Sequence, residues 1–193
     1  MKKITPASQQ STTNSVKISN LYKKGSMRLI ITSIFILLVC VSIANAQSDW
    51  VTHVGDNRIS LKFPNEPKEL TPGSFIALGK DSVAYIFTIV DFVKVAGLDS
   101  VALAPMKTTP EFVSQLKAGI TQSLPDVQLP DFKVGVWRGF TSYTSTGYDS
   151  KKKKYEMFMF IIGNKLYSAS TVAASGVSSQ GHNNFINSIV LSN

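Results

Sequence analysis

Two histidines, His53 and His182, are the first residues to invite acid–base or metal chemistry, and neither has a second histidine or a carboxylate at ligand spacing. Surface or capping roles are expected of both. Serines are abundant, but no G-x-S-x-G turn presents one as a nucleophile. The carboxylates that could pair for glycoside chemistry, Asp91, Asp99, Glu111, Asp126, Asp131 and Glu156, are scattered along the chain, and spacing alone brings no two together. The lone cysteine, Cys40, falls in an amino-terminal apolar run, which leaves residues 47–193 without a thiol for a disulfide, a metal or catalysis. These residues predict no catalytic site, no metal and no cofactor, with a hydrolase lacking a recognisable motif as the alternative.

One local charge run remains, Lys151, Lys152, Lys153 and Lys154, bracketed by Tyr148 and Tyr155. Its plain reading is a solvated hairpin tip kept unpaired by like charges. Its functional reading is contact with something anionic, an acidic partner or the headgroups of an anionic membrane surface, with the two tyrosines packing beside the lysines. These six residues are the candidate interaction site. Met157, Phe158, Met159 and Phe160 follow at once and are read as core, the alternative being the lining of a ligand pocket.

The charge of the whole chain misleads about partners. All six basic residues of positions 1–46 stand there without an acidic one, leaving 14 basic against 12 acidic residues in 47–193, a net +2 rather than +8. That balance excludes the concentrated basic surface a nucleic-acid partner requires. The apolar run at 29–44 is short for a membrane span and ends in Ala44-Asn45-Ala46, so it is read as a signal peptide cut after Ala46, with an uncleaved anchor as the alternative. Val39 before Cys40 argues against lipid attachment, and the polar stretch ahead of Met27 lies outside an ordinary leader. A periplasmic or secreted protein is expected, with one domain over 47–193.

Positioning elements follow from periodicity. Residues 50–53 and 58–63 alternate as strands around a Gly55-Asp56-Asn57 turn, stopped by Pro64 and Pro67. After a Pro72-Gly73 turn, residues 82–92 are apolar on both sides, as in a central strand covered on both faces. Thr109, Pro110 and Glu111 open a helix whose Phe112, Leu116, Ile120 and Leu124 share a face until Pro125. Residues 132–145 and 155–162 are expected as two long strands with a mobile tip at 147–154. Gly163-Asn164 then turns into a third strand at 165–172, followed by a weak helix at 178–188 and a closing strand at 189–191. The order describes an α+β fold with a central antiparallel sheet flanked by helices.

FPNEPKE at 63–69, GFTSY at 139–143, YEMFMFIIGNKLYSASTV at 155–172 and FINSIVL at 185–191 together resemble, in order, the PsbP-like and DcrB-like exported proteins. The resemblance implies a central antiparallel sheet with helices on both sides and a partner-binding module. Relatives include an extrinsic photosystem II subunit, a Ran-GTPase-binding import factor and bacterial envelope lipoproteins, so it implies no common reaction. No photosystem role is transferred, because no His, Asp and Glu cluster matches the relatives' metal-associated features, and the lipoproteins' cysteine has no counterpart.

Two functions follow. The first is an exported, non-catalytic module binding an unknown protein or envelope component through a sheet edge or the basic hairpin. The second is a small-molecule carrier or hydrolase with a pocket between sheet and helices. An enclosed apolar cavity with a few polar groups would favour the second, and a filled interior with an exposed patch the first.

Overall fold

A computed structural model of the protein describes residues 50–192; the expected leader and its cleavage site lie outside them. The chain opens with a hairpin, β1 (Val51–Asp56) and β2 (Ile59–Phe63), whose register slips by a bulge between Val54 and Asp56. A second hairpin, β3 (Lys68–Thr71) and β4 (Ser74–Leu78), turns at Gly73 and leads into β5 (Ala84–Asp91). Three helices follow: α1 (Phe92–Ala96), α2 (Ser100–Met106) and α3 (Pro110–Ser123). Then come β6 (Val127–Gln128), β7 (Lys133–Trp137), β8 (Phe140–Asp149), β9 (Lys154–Ile162), β10 (Lys165–Ala173), α4 (Gln180–Asn187) and β11 (Val190–Leu191).

All strand pairs are antiparallel. The large sheet runs β3-β4-β5-β10-β9-β8-β6, with β7 also paired to β8, and the small sheet runs β1-β2-β11. Period-two alternation on the central strands separates two cores. Tyr85, Phe87, Phe158, Phe160 and Tyr167 pack towards Ile59, Leu61 and Phe63 of β2 and Phe185 of α4. Tyr143, Met157, Met159, Ile161 and Leu166 pack on the opposite side with Leu103 of α2 and Phe112 of α3. The fold is α+β, a central antiparallel sheet with helices on both faces.

The α3 cap is formed as its residues predict: Thr109 Oγ1 accepts from the Phe112 amide at 3.3 Å, Pro110 opens the helix and Glu111 sits in its first turn. Elsewhere the structure corrects the expectation. The strand expected over 132–145 is two strands, because Arg138 and Gly139 both adopt positive φ, at 50° and 85°, and close a two-residue hairpin turn. β3 and β4 were not foreseen: β3 is exposed throughout and β4 half-buried, so neither alternates. α1 and α2 also went unread, being short, with Asp91 and Asp99 as caps and only Leu103 buried between them.

The strand at β5 is central, yet its faces are unequal. Tyr85 and Phe87 are buried, whereas Ile86, Thr88 and Val90 are only half-covered by the helices. Among the described residues no helix is long and apolar enough to cross a membrane.

Phe185 joins the layers on the sealed face, its ring 5.1 Å from Phe63 and 5.4 Å from Tyr85 between centroids. Gly181, one helical turn earlier, allows the Tyr85 hydroxyl against the α4 backbone. Replacing Phe185 by alanine is expected to cost about 3–5 kcal/mol, read as a lowered urea midpoint with an unchanged slope.

Candidate functional site: an apolar cleft under helix α3

The helices do not cover the whole of their sheet face. A cleft of about 940 Å³ opens between the sheet and α3. β5, β9 and β10 form its floor through Ile86, Val90, Met157, Met159 and Leu166, and α3 forms a wall through Phe112, Leu116 and Ile120. Leu70 closes one side and Met106 another, both partly exposed. The helical stripe read from sequence is real, but only Phe112 is buried; Leu116, Ile120 and Leu124 remain half-buried because they border this space. Met157 and Met159 satisfy both readings of their sequence, since they are buried core residues and also line the cleft.

The polar part of the lining consists of hydroxyls and the Gln115 amide, with Ser74 Oγ and Thr88 Oγ1 3.0 Å apart and Ser168 Oγ and Ser170 Oγ 3.1 Å apart. Among the described residues no Asp, Glu, Lys, Arg, His or Cys lines it. Among the described residues Tyr155 is its one titratable group, with burial first and the neighbouring Asp149 carboxylate second pushing the phenol upward. Gly119 stands in the middle of α3 on this cleft, and a side chain there would meet nothing within 4 Å of its first carbon. A mid-helix glycine costs about 1 kcal/mol relative to alanine, so what it leaves is room. A second groove, of about 810 Å³, lies on the other flank of α3 and is bridged by the exposed Lys117–Asp131 pair at 2.8 Å.

The six residues expected at the basic hairpin are not brought together. Lys151, Lys152 and Lys153 are exposed on a tight turn that Asp149 closes, its Oδ1 accepting from the amides of Lys151 at 2.9 Å and Lys153 at 2.8 Å. Strand β8 reaches Asp149, so the tip is this four-residue turn and not the mobile 147–154 segment expected. Lys154 lies within β9, donating to Ser179 Oγ at 2.6 Å and pairing with Glu156 at 3.1 Å, with side-chain exposures of 16% and 13%. Tyr148 stands opposite Lys154 in the ladder and is 51% exposed, while Tyr155 occupies the other sheet face in the cleft. The two tyrosines therefore cannot pack around one anion.

No family model and no curated protein matches the chain. Among solved structures, the solution structure of cyanobacterial PsbP (CyanoP) from Synechocystis sp. PCC 6803 is similar at 13% identity and a TM-score of 0.49, over 74% of this chain and 91% of that one. A crystal structure from Bacteroides thetaiotaomicron VPI-5482 is similar at 16% identity and a TM-score of 0.41, over 75% of this chain. This chain spans about half of that protein, 48% of its length. At these identities and TM-scores neither likeness assigns a role to this chain.

Sequence reasoning missed a polar cluster beside the tip. Ser179 Oγ donates to Glu156 Oε1 at 2.7 Å, and His182 Nδ1 lies 3.0 Å from Thr171 Oγ1. Neither histidine has the surface or capping role expected. His182 is half-buried over β10, and His53 packs against Phe75 at 4.2 Å with its Nε2 unpartnered. Among the described residues no group of three or more His, Cys, Asp or Glu could hold a metal.

Lys154→Ser strips Glu156 of its cation in a largely enclosed place and should cost about 1–2 kcal/mol, whereas serine at Lys151, Lys152 and Lys153 together should stay within about 0.5 kcal/mol of the parent in chemical unfolding. Burial, the largest influence, lowers the pKa of His182, with Glu156 opposing and Lys154 adding. His53 is lowered too, by burial, against Glu66 and Glu69. The unfolded chain then takes up protons first as pH falls, so stability is full above about pH 6.5 and declines below it. His182→Gln is expected to flatten part of the slope of the unfolding free energy between about pH 7 and 5, the rest belonging to His53.

Proposed function

We propose that residues 50–192 form a non-catalytic binding module of an exported protein, and that its ligand is a small apolar molecule seated in the cleft between the sheet and α3. The observation that carries this reading is the cleft itself: about 940 Å³ lined by aliphatic, aromatic and methionine side chains, with hydroxyls and one amide as the polar side-chain groups among the described residues. Ligand sites of this kind are concave, predominantly apolar and of a few hundred to about 1,000 Å³. The cleft is open to solvent rather than enclosed, and an apolar recess of this size supports a carrier over an adaptor. Among the described residues no acid or base other than Tyr155 lines the cleft to activate one of its hydroxyls, which supports binding without chemistry.

Met157, Met159 and Met106 suit the role, because flexible thioethers adapt to ligands of differing shape. Gly119 suits it as well, by leaving the α3 wall low where a larger residue would serve the helix better. The hairpin tip supports a second, compatible reading. Lys151, Lys152 and Lys153 are exposed beside a half-exposed Tyr148, which suits peripheral contact with an anionic membrane surface.

The test is a titration of the purified protein with N-phenyl-1-naphthylamine, a neutral fluorophore that brightens on leaving water. Saturable binding is expected, and plugs from opposite walls, Gly119→Phe and Ile86→Trp, should each weaken it at least about tenfold while the far-ultraviolet spectrum stays unchanged. A parent protein that fails to bind the fluorophore, or binding indifferent to both plugs, would overturn the carrier reading.

A further inference from the structure

The cleft floor is crossed by a row of hydroxyls. In the ladders Ser74 of β4 stands opposite Thr88 of β5, and Thr88 stands opposite Ser168 of β10. Directly opposed residues of antiparallel strands share a face with their Cβ atoms about 4.5–5.5 Å apart, so the three hydroxyls form a line perpendicular to the strands. Ser170, two residues along β10 and opposite Ile86, flanks the row and contacts Ser168 at 3.1 Å. On one side the row is bordered by the opposed pair Ile76 and Ile86, and on the other by Val90 and Leu166.

Their hydrogen bonds run to each other, Ser74 to Thr88 and Ser168 to Ser170, and not to a cap or a turn. A mutual bond uses one O–H of each pair, so each pair keeps a second O–H to donate and lone pairs to accept. Serine also gains a strand nothing by its propensity, since the residues enriched there are β-branched and aromatic. A floor that served packing alone would be aliphatic here. Among the described residues no cation lines the cleft, so a carboxylate or phosphate drawn onto this row would lose its water without gaining a counter-charge from them.

Resting on the reading of the cleft as a ligand site, we propose that it selects a neutral amphiphile of the acyl ester or amide kind. The uncharged polar group lies across Ser74, Thr88 and Ser168, and the apolar chain lies between the Ile86 floor and the Leu116 wall. The row supplies both donors and acceptors, which suits an ester or amide carbonyl with an adjacent hydroxyl or N–H.

The experiment displaces bound N-phenyl-1-naphthylamine with two ligands of equal chain length, 1-monolaurin and laurate, each below its micellar concentration. Monolaurin is expected to act at a concentration at least about tenfold lower than laurate. Thr88→Val and Ser168→Ala, on different strands, should each shrink that ratio to about threefold or less. The ratio is read rather than absolute affinity, so a general loosening of the cleft cancels. Laurate displacing as well as monolaurin, or a ratio kept by both variants, overturns the inference while the carrier reading stands. A fluorophore that never binds overturns the carrier reading and this inference with it.

Discussion

The alternation of side chains along β5, β10 and β9 is the constraint on which the rest of the molecule depends. Each strand sends successive residues to opposite faces, so the ladders that align Phe160 with Tyr167 also align Met159 with Ser168. One face thereby receives large rings, and the other receives methionine, serine and aliphatics. A slip of one residue in any of these pairs would exchange the two sets. The rings would then meet the helices, and the hydroxyls would be buried under the small sheet.

The two faces are finished differently. On the ring face the small sheet and α4 close over Tyr85, Phe87 and Phe160, each at most 1% exposed. The deep tyrosine hydroxyls are tethered at its margins, Tyr85 to Asp81 at 2.6 Å and Tyr167 to Asp56 at 2.9 Å. Burial, helped by those carboxylates, pushes both phenols far above their ordinary range, so they stay protonated donors. Asp56 in turn resists the upward push of its own burial, because Lys165, the Arg58 amide and Tyr167 all bond to it and lower its pKa on balance.

On the other face the helices are anchored by few residues. Tyr143 reaches across to the Lys107 carbonyl between α2 and α3, and Phe112 and Leu103 plug the space beside it. Beyond these anchors α3 stands over the sheet with its apolar stripe only partly engaged. A large cleft results, and its half-covered floor is kept tolerable to water by Ser74, Thr88, Ser168 and Ser170. The same hydroxyls that let the floor stay open are the groups able to choose what enters.

Much was legible in the chain where a local rule acts alone. The Thr109 cap, the four-residue stripe of α3, the Gly163 turn and the strands at β2, β5, β9 and β10 are written in short-range spacing. The hairpin at Arg138-Gly139 was not seen, since a two-residue turn inside an otherwise extended, aromatic run interrupts no periodicity. β3 and β4 escaped because an exposed or half-exposed strand shows no alternation. The lysine run was visible, but which lysine is solvated and which is locked to Glu156 depends on α4 and its preceding loop arriving beside β9. The cleft was beyond local reading altogether. Whether an apolar stripe is sealed or left standing over a floor depends on how far a helix is held from a sheet, and that distance is set by residues remote in the chain. The capped helix α3, the alternating central strands and the class of the fold follow from the chain alone, because capping, turning and alternation are nearest-neighbour effects. That one face of the sheet is closed and the other open is settled in the folded molecule, because it rests on contacts among residues scores of positions apart.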